Sequence, residues 1–163
     1  MKKLAFLPIL LCLLLFSGCH GQRYGILSYQ EKEIYAECVL NGEYKIAVSQ
    51  KSGEKSVSFL EPSELSSISF IEKDGKITAC AKDVEIPFES GDLKGISALL
   101  SMFSLSEEAL TYAGTGGDGE ILEFSYASGE YILTMNDIGL PKRIQIYSES
   151  FNYDILVNFV KLN

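Results

Sequence analysis

The chain has 163 residues, with 14 basic against 22 acidic side chains and a net charge of −8. A surface so acidic is repelled by nucleic acid and by anionic lipid, and no basic cluster reverses this locally, so nucleic-acid partners are excluded. There is one histidine, His20, and no paired Cys-x-x-Cys, which leaves neither a zinc-type ligand set nor a base for a Ser-His-Asp arrangement.

Lys2 and Lys3 open the chain, an apolar run of thirteen residues follows from Leu4 to Phe16, and Phe16-Ser17-Gly18-Cys19 closes the segment. A short basic start, a hydrophobic stretch and small residues before a cut make a secretory signal peptide. The run is interrupted by Pro8, and it falls short of the about 20 residues a helix needs to cross a bilayer. The Ser17-Gly18-Cys19 ending resembles the lipobox of bacterial lipoproteins, with Phe16 where the pattern has Leu, Val or Ile. The resemblance implies a cut before Cys19 and a diacylglycerol on its sulfur, carrying acyl chains such as palmitate. It thereby implies a protein anchored to the cell membrane on the extracytoplasmic side. A chance cysteine behind an ordinary cleavage site is the alternative.

On that reading residues 1–18 are signal, 19–30 are tether, and 31–163 form a single β domain. Losing Lys2 and Lys3 leaves 12 basic residues against 22 acidic, a net of −10. The remaining length is enough for one domain with its own core. Cys12 leaves with the signal, so Cys38 and Cys80 are the remaining thiols. Export permits a disulfide between them. Their neighbours place them on opposite faces of a sheet, which favours two separate small hydrophobes.

Downstream the chain reads as short strands with period-two alternation. Glu33–Leu40 and Glu43–Gln50 flank Asn41-Gly42, a strong hairpin signal. Ser52-Gly53 turns the chain into Lys55–Leu60, which ends at Pro62. Ser66–Glu72 and Lys76–Lys82 flank Asp74-Gly75, and Val84–Phe88 is a short strand. From Asp92 to Phe103 the period changes, with Leu93, Ile96, Leu99, Leu100 and Phe103 at helical spacing. Ser104 and Glu107 fit a capping box for a second short helix, Leu105–Leu110. Strands resume at Glu120–Ala127, Glu130–Asn136 and Lys142–Ser148. The last, Phe151–Lys161, places Phe151, Tyr153, Ile155, Val157 and Phe159 on one face.

The expected fold is therefore mainly β (α+β). It is a large curved antiparallel sheet or incomplete barrel of about ten strands, with a helical insertion at about 90–110 over its concave face. One apolar face of such a sheet needs cover, and a short helical segment supplies part of it. Either the sheet curls on itself or an apolar cradle stays partly open. The Phe59-Leu60-Glu61-Pro62 strand end, the Asp74-Gly75 hairpin and the stretch from Tyr131 to Gly139-Leu140-Pro141 resemble the LolA/LolB-like lipoprotein fold. The resemblance implies a curved, incompletely closed antiparallel barrel with helices on its concave side. It also implies a non-catalytic protein that binds lipid or acyl chains. This chain departs from the family in the poor helix-forming quality of residues 25–32.

Gly114-Thr115-Gly116-Gly117-Asp118-Gly119 spells G-x-G-x-x-G. A dinucleotide site requires this loop to open a helix, whereas a strand-like run follows here. Asp118 and Glu120 would repel phosphate as well, so the glycines read as a loop joining helix to strand. Paired carboxylates such as Glu107-Glu108 read as a solvated face, and no enzyme activity and no cofactor or metal is expected. The aromatic residues lie mostly at strand positions, where core packing is the plain explanation. The functional alternative is an apolar trough lined by Phe59, Phe124, Tyr131, Leu133, Ile146 and Val157 and covered by Leu99, Leu100 and Phe103. Two roles fit this pattern: a membrane-anchored protein holding a lipid or other hydrophobic ligand, and an envelope lipoprotein with a filled core that acts through a protein partner.

Overall fold

The structure, a computed structural model, describes residues 27–89 and 91–163. The expected signal peptide, Cys19 and most of the expected tether lie outside the described residues. Eleven strands form one antiparallel sheet: β1 (Ile34–Leu40), β2 (Tyr44–Lys51), β3 (Glu54–Glu61), β4 (Ile68–Lys73), β5 (Lys76–Ala81), β6 (Val84–Glu89), β7 (Leu110–Gly116), β8 (Gly119–Tyr126), β9 (Gly129–Met135), β10 (Pro141–Tyr147) and β11 (Asn152–Leu162). Their spatial order is β6-β5-β4-β3-β2-β1-β11-β10-β9-β8-β7. The chain meanders outward from the centre to β6 and crosses through helix α1 (Lys94–Ser101). It then meanders back from β7 until β11 pairs with β1. The edges β6 and β7 do not pair with each other, so the barrel is open.

Local sequence explains most of the connections. Ser52-Gly53 and Asp74-Gly75 adopt positive φ at both residues (49° and 82°, 51° and 74°), the geometry a two-residue type I′ hairpin demands. Asn41 also sits at positive φ, and its side-chain oxygen accepts the Asp154 N–H at 2.8 Å, which prolongs the β1–β11 ladder. Asn136 Oδ1 accepts the N–H groups of Ile138 (3.1 Å) and Leu140 (2.9 Å). That turn delivers Pro141 to the first position of β10, where a missing N–H is tolerated.

Two expectations are corrected. The second helix and the glycine loop are absent as such: Glu107–Ala109 makes one 3₁₀ turn, and Leu110–Gly116 is a strand. Ser106, not Ser104, caps that turn, its Oγ accepting the Glu108 N–H at 3.2 Å. The chain from Leu110 onward finds β8 as a partner, and pairing of Leu110, Tyr112 and Thr115 outweighs the local helix signal. The second correction concerns β11. Cys38 opposes Val157 but Glu37 opposes Phe159, so Asn158 is an extra residue. This β-bulge reverses the alternation. It turns Phe159 to the outer face, half exposed against Tyr35, while Ile155 stays in the core.

The core lies on the inner face of the sheet under α1. Ile34, Ala36, Cys38, Ile46, Val48, Val57, Leu122, Phe124, Leu133, Ile144, Ile146 and Ile155 meet Ala98, Leu99, Leu100, Met102 and Phe103 from the helical segment. Gly95 lets α1 approach the Tyr153 hydroxyl, where a Cβ would collide. The packed chain begins by Leu27, inside the 19–30 stretch read as tether. Leu27 and Tyr29 are buried, with the Tyr29 ring edge-on to Phe103 at 6.4 Å.

On the outer face Arg143 donates to both carboxylate oxygens of Asp154, from Nε at 2.7 Å and from Nη2 at 2.8 Å. This hydrogen bonding holds the Asp154 carboxyl below its usual value. A depressed carboxylate contributes stability above the unfolded-state value near pH 4, and the contribution is lost as pH falls through the lower folded value. Asp154→Asn is expected to lower stability at pH 7 by less than about 1 kcal/mol, because the pair is half exposed. In melts run between pH 2 and 7, the gap between variant and parent should close at the acid end.

Candidate functional site

The strand registers assign a face to each side chain. Ile77 is fully buried, so Ala79 and Ala81 share its inner face, and so do their cross-strand partners Phe88, Ile86 and Val84. Phe70, opposite Ala79, and Ile68, opposite Ala81, continue that face on β4. Burial decays outward along it. Val57 and Ile77 are sealed, Phe59, Ile68, Phe70 and Ala79 are partly covered, and Val84 and Ile86 are 56% and 49% exposed. The cause is geometric. An eight-residue helix is about 12 Å long, whereas eleven strands at about 4.8 Å spacing extend over roughly 48 Å. The helix runs against β3, and among the described residues cover falls away over the outer ends of β4–β6. An apolar strip that continues the core thus faces solvent.

The same inner face is polar at its other end. Lys55 and Glu72 oppose each other there and form an ion pair at 3.8 Å, three-quarters buried, beside Gln50. The strip therefore has a direction, from a charged rim to a greasy opening at the β5–β6 turn.

A second concavity, of about 900 Å³, lies where α1 faces the β8–β9 and β10–β11 turns. Ser97 and Ser101 come from the helix, Tyr126, Ser128 and Tyr131 from the first turn, and Ser148 from the second. The Tyr126 and Tyr131 rings meet edge to face at 5.4 Å. Tyr126 Oη accepts the Ser106 N–H at 2.6 Å, which ties this wall to the start of the 3₁₀ turn. Burial raises the Tyr131 phenol above its usual value, against a contact with Ser128 that lowers it. Hydroxyls dominate the lining, with Lys94, Glu130 and Glu149 alongside them.

Of the residues expected to line a trough, Leu99, Leu100, Phe103, Phe124, Tyr131, Leu133 and Ile146 are buried in one contiguous cluster. Phe59 and Val157 pack against it half-covered. Tyr131 alone also lines the 900 Å³ concavity, and Phe59 alone borders the uncovered strip. Ile68, Phe70, Val84 and Ile86 were missed. The alternation of Val84, Ile86 and Phe88 beside Pro87 was legible in the sequence, but the open face above it was not.

Cys38 and Cys80 are both free thiols. Four strand spacings separate β1 from β5, about 19 Å, beyond the reach of a disulfide. Burial, with Glu37 adding to it, pushes the Cys38 thiol up to about 12 and makes it unreactive. Among the described residues no group of three or more His, Cys, Asp or Glu side chains could hold a metal ion, and no helix is long and apolar enough to cross a membrane.

Fold and site together define, among the described residues, an open antiparallel sheet with one crossing helix and an apolar face left partly bare. No protein-family model matches the sequence, and no curated protein does. Solved structures do match. An uncharacterized conserved protein from Thermus thermophilus is 13% identical with a TM-score of 0.50, over 85% of each chain. A LolA superfamily protein from Nitrosomonas europaea is 12% identical with a TM-score of 0.44, over 85% of this chain and 92% of the other. MucB, solved in complex with MucA(peri), is 11% identical with a TM-score of 0.41, over 85% of this chain and 53% of its own.

Proposed function

We propose that the protein is a non-catalytic extracytoplasmic lipoprotein, anchored to the membrane through Cys19, that holds a lipid or other hydrophobic molecule on its inner sheet face. One observation carries this reading: Val84 and Ile86 extend the core's own face yet stand about half exposed beside Ile68 and Ala81. Bare apolar area of this kind contributes roughly 25 cal/mol per Å² when a ligand covers it. The lipid enters tail first at the β5–β6 turn, with Phe59 at the inner limit of the open strip. Leu99, Leu100, Phe103, Phe124, Tyr131, Leu133, Ile146 and Val157 belong to the packed apolar cluster that the open strip continues.

Protein purified without detergent is expected to carry a hydrophobic ligand in native mass spectrometry and to take up a fluorescent fatty acid. The double substitution Val84→Asp with Ile86→Asp should weaken that uptake by about tenfold or more and leave the melting temperature nearly unchanged, because both side chains are already solvated. No copurifying ligand and no fatty-acid uptake by the parent protein would remove this reading.

A second reading has its own support on the opposite face. Leu156 and Phe159 are 48% and 50% exposed on the outside of β11, Leu156 opposite Val39 and Phe159 against the Tyr35 ring. An envelope lipoprotein with a filled core would work through this outer surface and a protein partner. Crosslinking in the native envelope that gives a reproducible partner through Phe159, with an empty ligand analysis, favours it.

A further inference from the structure

The two free edges of the sheet are built differently. β6 carries Pro87, which has no N–H to offer, and the charged Glu85 and Glu89. Proline and charge are devices that stop another strand from adding. β7 has neither: Leu-Thr-Tyr-Ala-Gly-Thr-Gly is a seven-residue strand without charge or proline. The two-residue turn Gly117-Asp118 sets its ladder, with Gly116 paired to Gly119. Counting from that closing pair, Thr115 and Ala113 fall at positions not hydrogen-bonded to β8, opposite Glu120 and Leu122. Their N–H and C=O groups point away from the sheet, and both residues are exposed. Among the described residues no strand pairs with that side of β7.

The surroundings select the occupant. Glu107 and Glu108 precede the strand and Asp118 and Glu120 follow it, all four exposed. Among the described residues Lys142, 3.9 Å from Asp118, is the one cation in an ion pair with them. A second copy of β7 added antiparallel would set Glu107 and Glu108 of one chain against Asp118 and Glu120 of the other, and like charges there repel. A strand with lysine or arginine at both ends meets carboxylates at both ends instead.

We propose that the β7 edge takes up an extended peptide segment of a partner protein as a twelfth strand, with a short neutral β-forming centre flanked by Lys or Arg. Main-chain hydrogen bonds supply affinity and the flanking carboxylates supply selectivity. The proposal is independent of the hydrophobic-ligand reading, since β7 and the β4–β6 strip lie at opposite ends of the sheet.

The probe is a fluorescein-labelled peptide, Lys-Lys-Thr-Val-Thr-Val-Thr-Lys-Lys, titrated with the full chain and followed by anisotropy, beside its Glu-flanked twin. The lysine peptide should bind about tenfold more tightly or better, and binding should weaken as salt rises. Ala113→Pro removes an outward N–H that β8 does not use, and it should reduce binding at least about tenfold at an unchanged melting temperature. A lysine peptide N-methylated at alternate residues tests the same hydrogen bonds with the protein unaltered, and should likewise fail to bind. Equal affinity for the two flanks, binding that survives both Ala113→Pro and N-methylation, or a dimer of the chain dispersed by Ala113→Pro would overturn the proposal. Retention of fatty-acid uptake by Ala113→Pro separates its failure from that of the ligand reading.

Discussion

Phe103→Ala is expected to destabilise the protein by about 3–5 kcal/mol, the usual cost of removing a buried phenylalanine ring. The position leaves little room for relief. Phe103 is 1% exposed just past the end of α1, between buried Met102 and buried Leu105, and its face is closed by the Tyr29 ring. Losing the ring leaves a void and frees the Tyr29 segment, the 3₁₀ turn Ser28–Glu31, which should become protease-sensitive before the sheet does. Denaturant melts monitored by tyrosine fluorescence give the magnitude. A loss below about 1 kcal/mol would mean that the helical segment is not packed against the sheet as described.

Cys19→Ser should abolish acylation altogether. Each buried methylene of an acyl chain contributes roughly 0.8 kcal/mol to membrane binding, and two chains hold far more firmly than one. An oxygen at residue 19 cannot take up a thioether-linked diacylglycerol. Metabolic labelling with an alkyne analogue of palmitate should mark the parent chain and leave Cys19→Ser dark. Intact mass should show the parent shortened by residues 1–18 and enlarged by the lipid. A parent chain that keeps Met1 and takes no label would defeat the anchored reading at its root.

The hairpins were legible because their turn residues carry the constraint locally. Ser52-Gly53 and Asp74-Gly75 accept positive φ at little cost, and apolar alternation on either side fixes the register. The helix was legible from Leu93, Ile96, Leu99, Leu100 and Phe103 for the same reason, although it spans only Lys94–Ser101. β7 was not, because Thr111 to Gly116 has no strong pattern of its own and becomes a strand only when β8 lies beside it. The bulge at Asn158 was hidden too. Ile155, Val157 and Phe159 alternate perfectly in the sequence, and only pairing with Glu37 and Cys38 shows that an extra residue reverses the phase. The uncovered strip at Val84 and Ile86 depends on how far one short helix reaches across eleven strands, a matter of dimensions that no run of residues spells out.

Ile34 lies opposite Leu162, so the middle of the sheet is sewn from the first and last of the eleven described strands. Until β11 has been made, β1 lacks one neighbour and β10 lacks another. The unfinished polypeptide cannot settle into its native form, and contacts so distant along the chain form slowly. On the exported reading proposed above, this delay would keep the chain pliable until it has crossed the membrane.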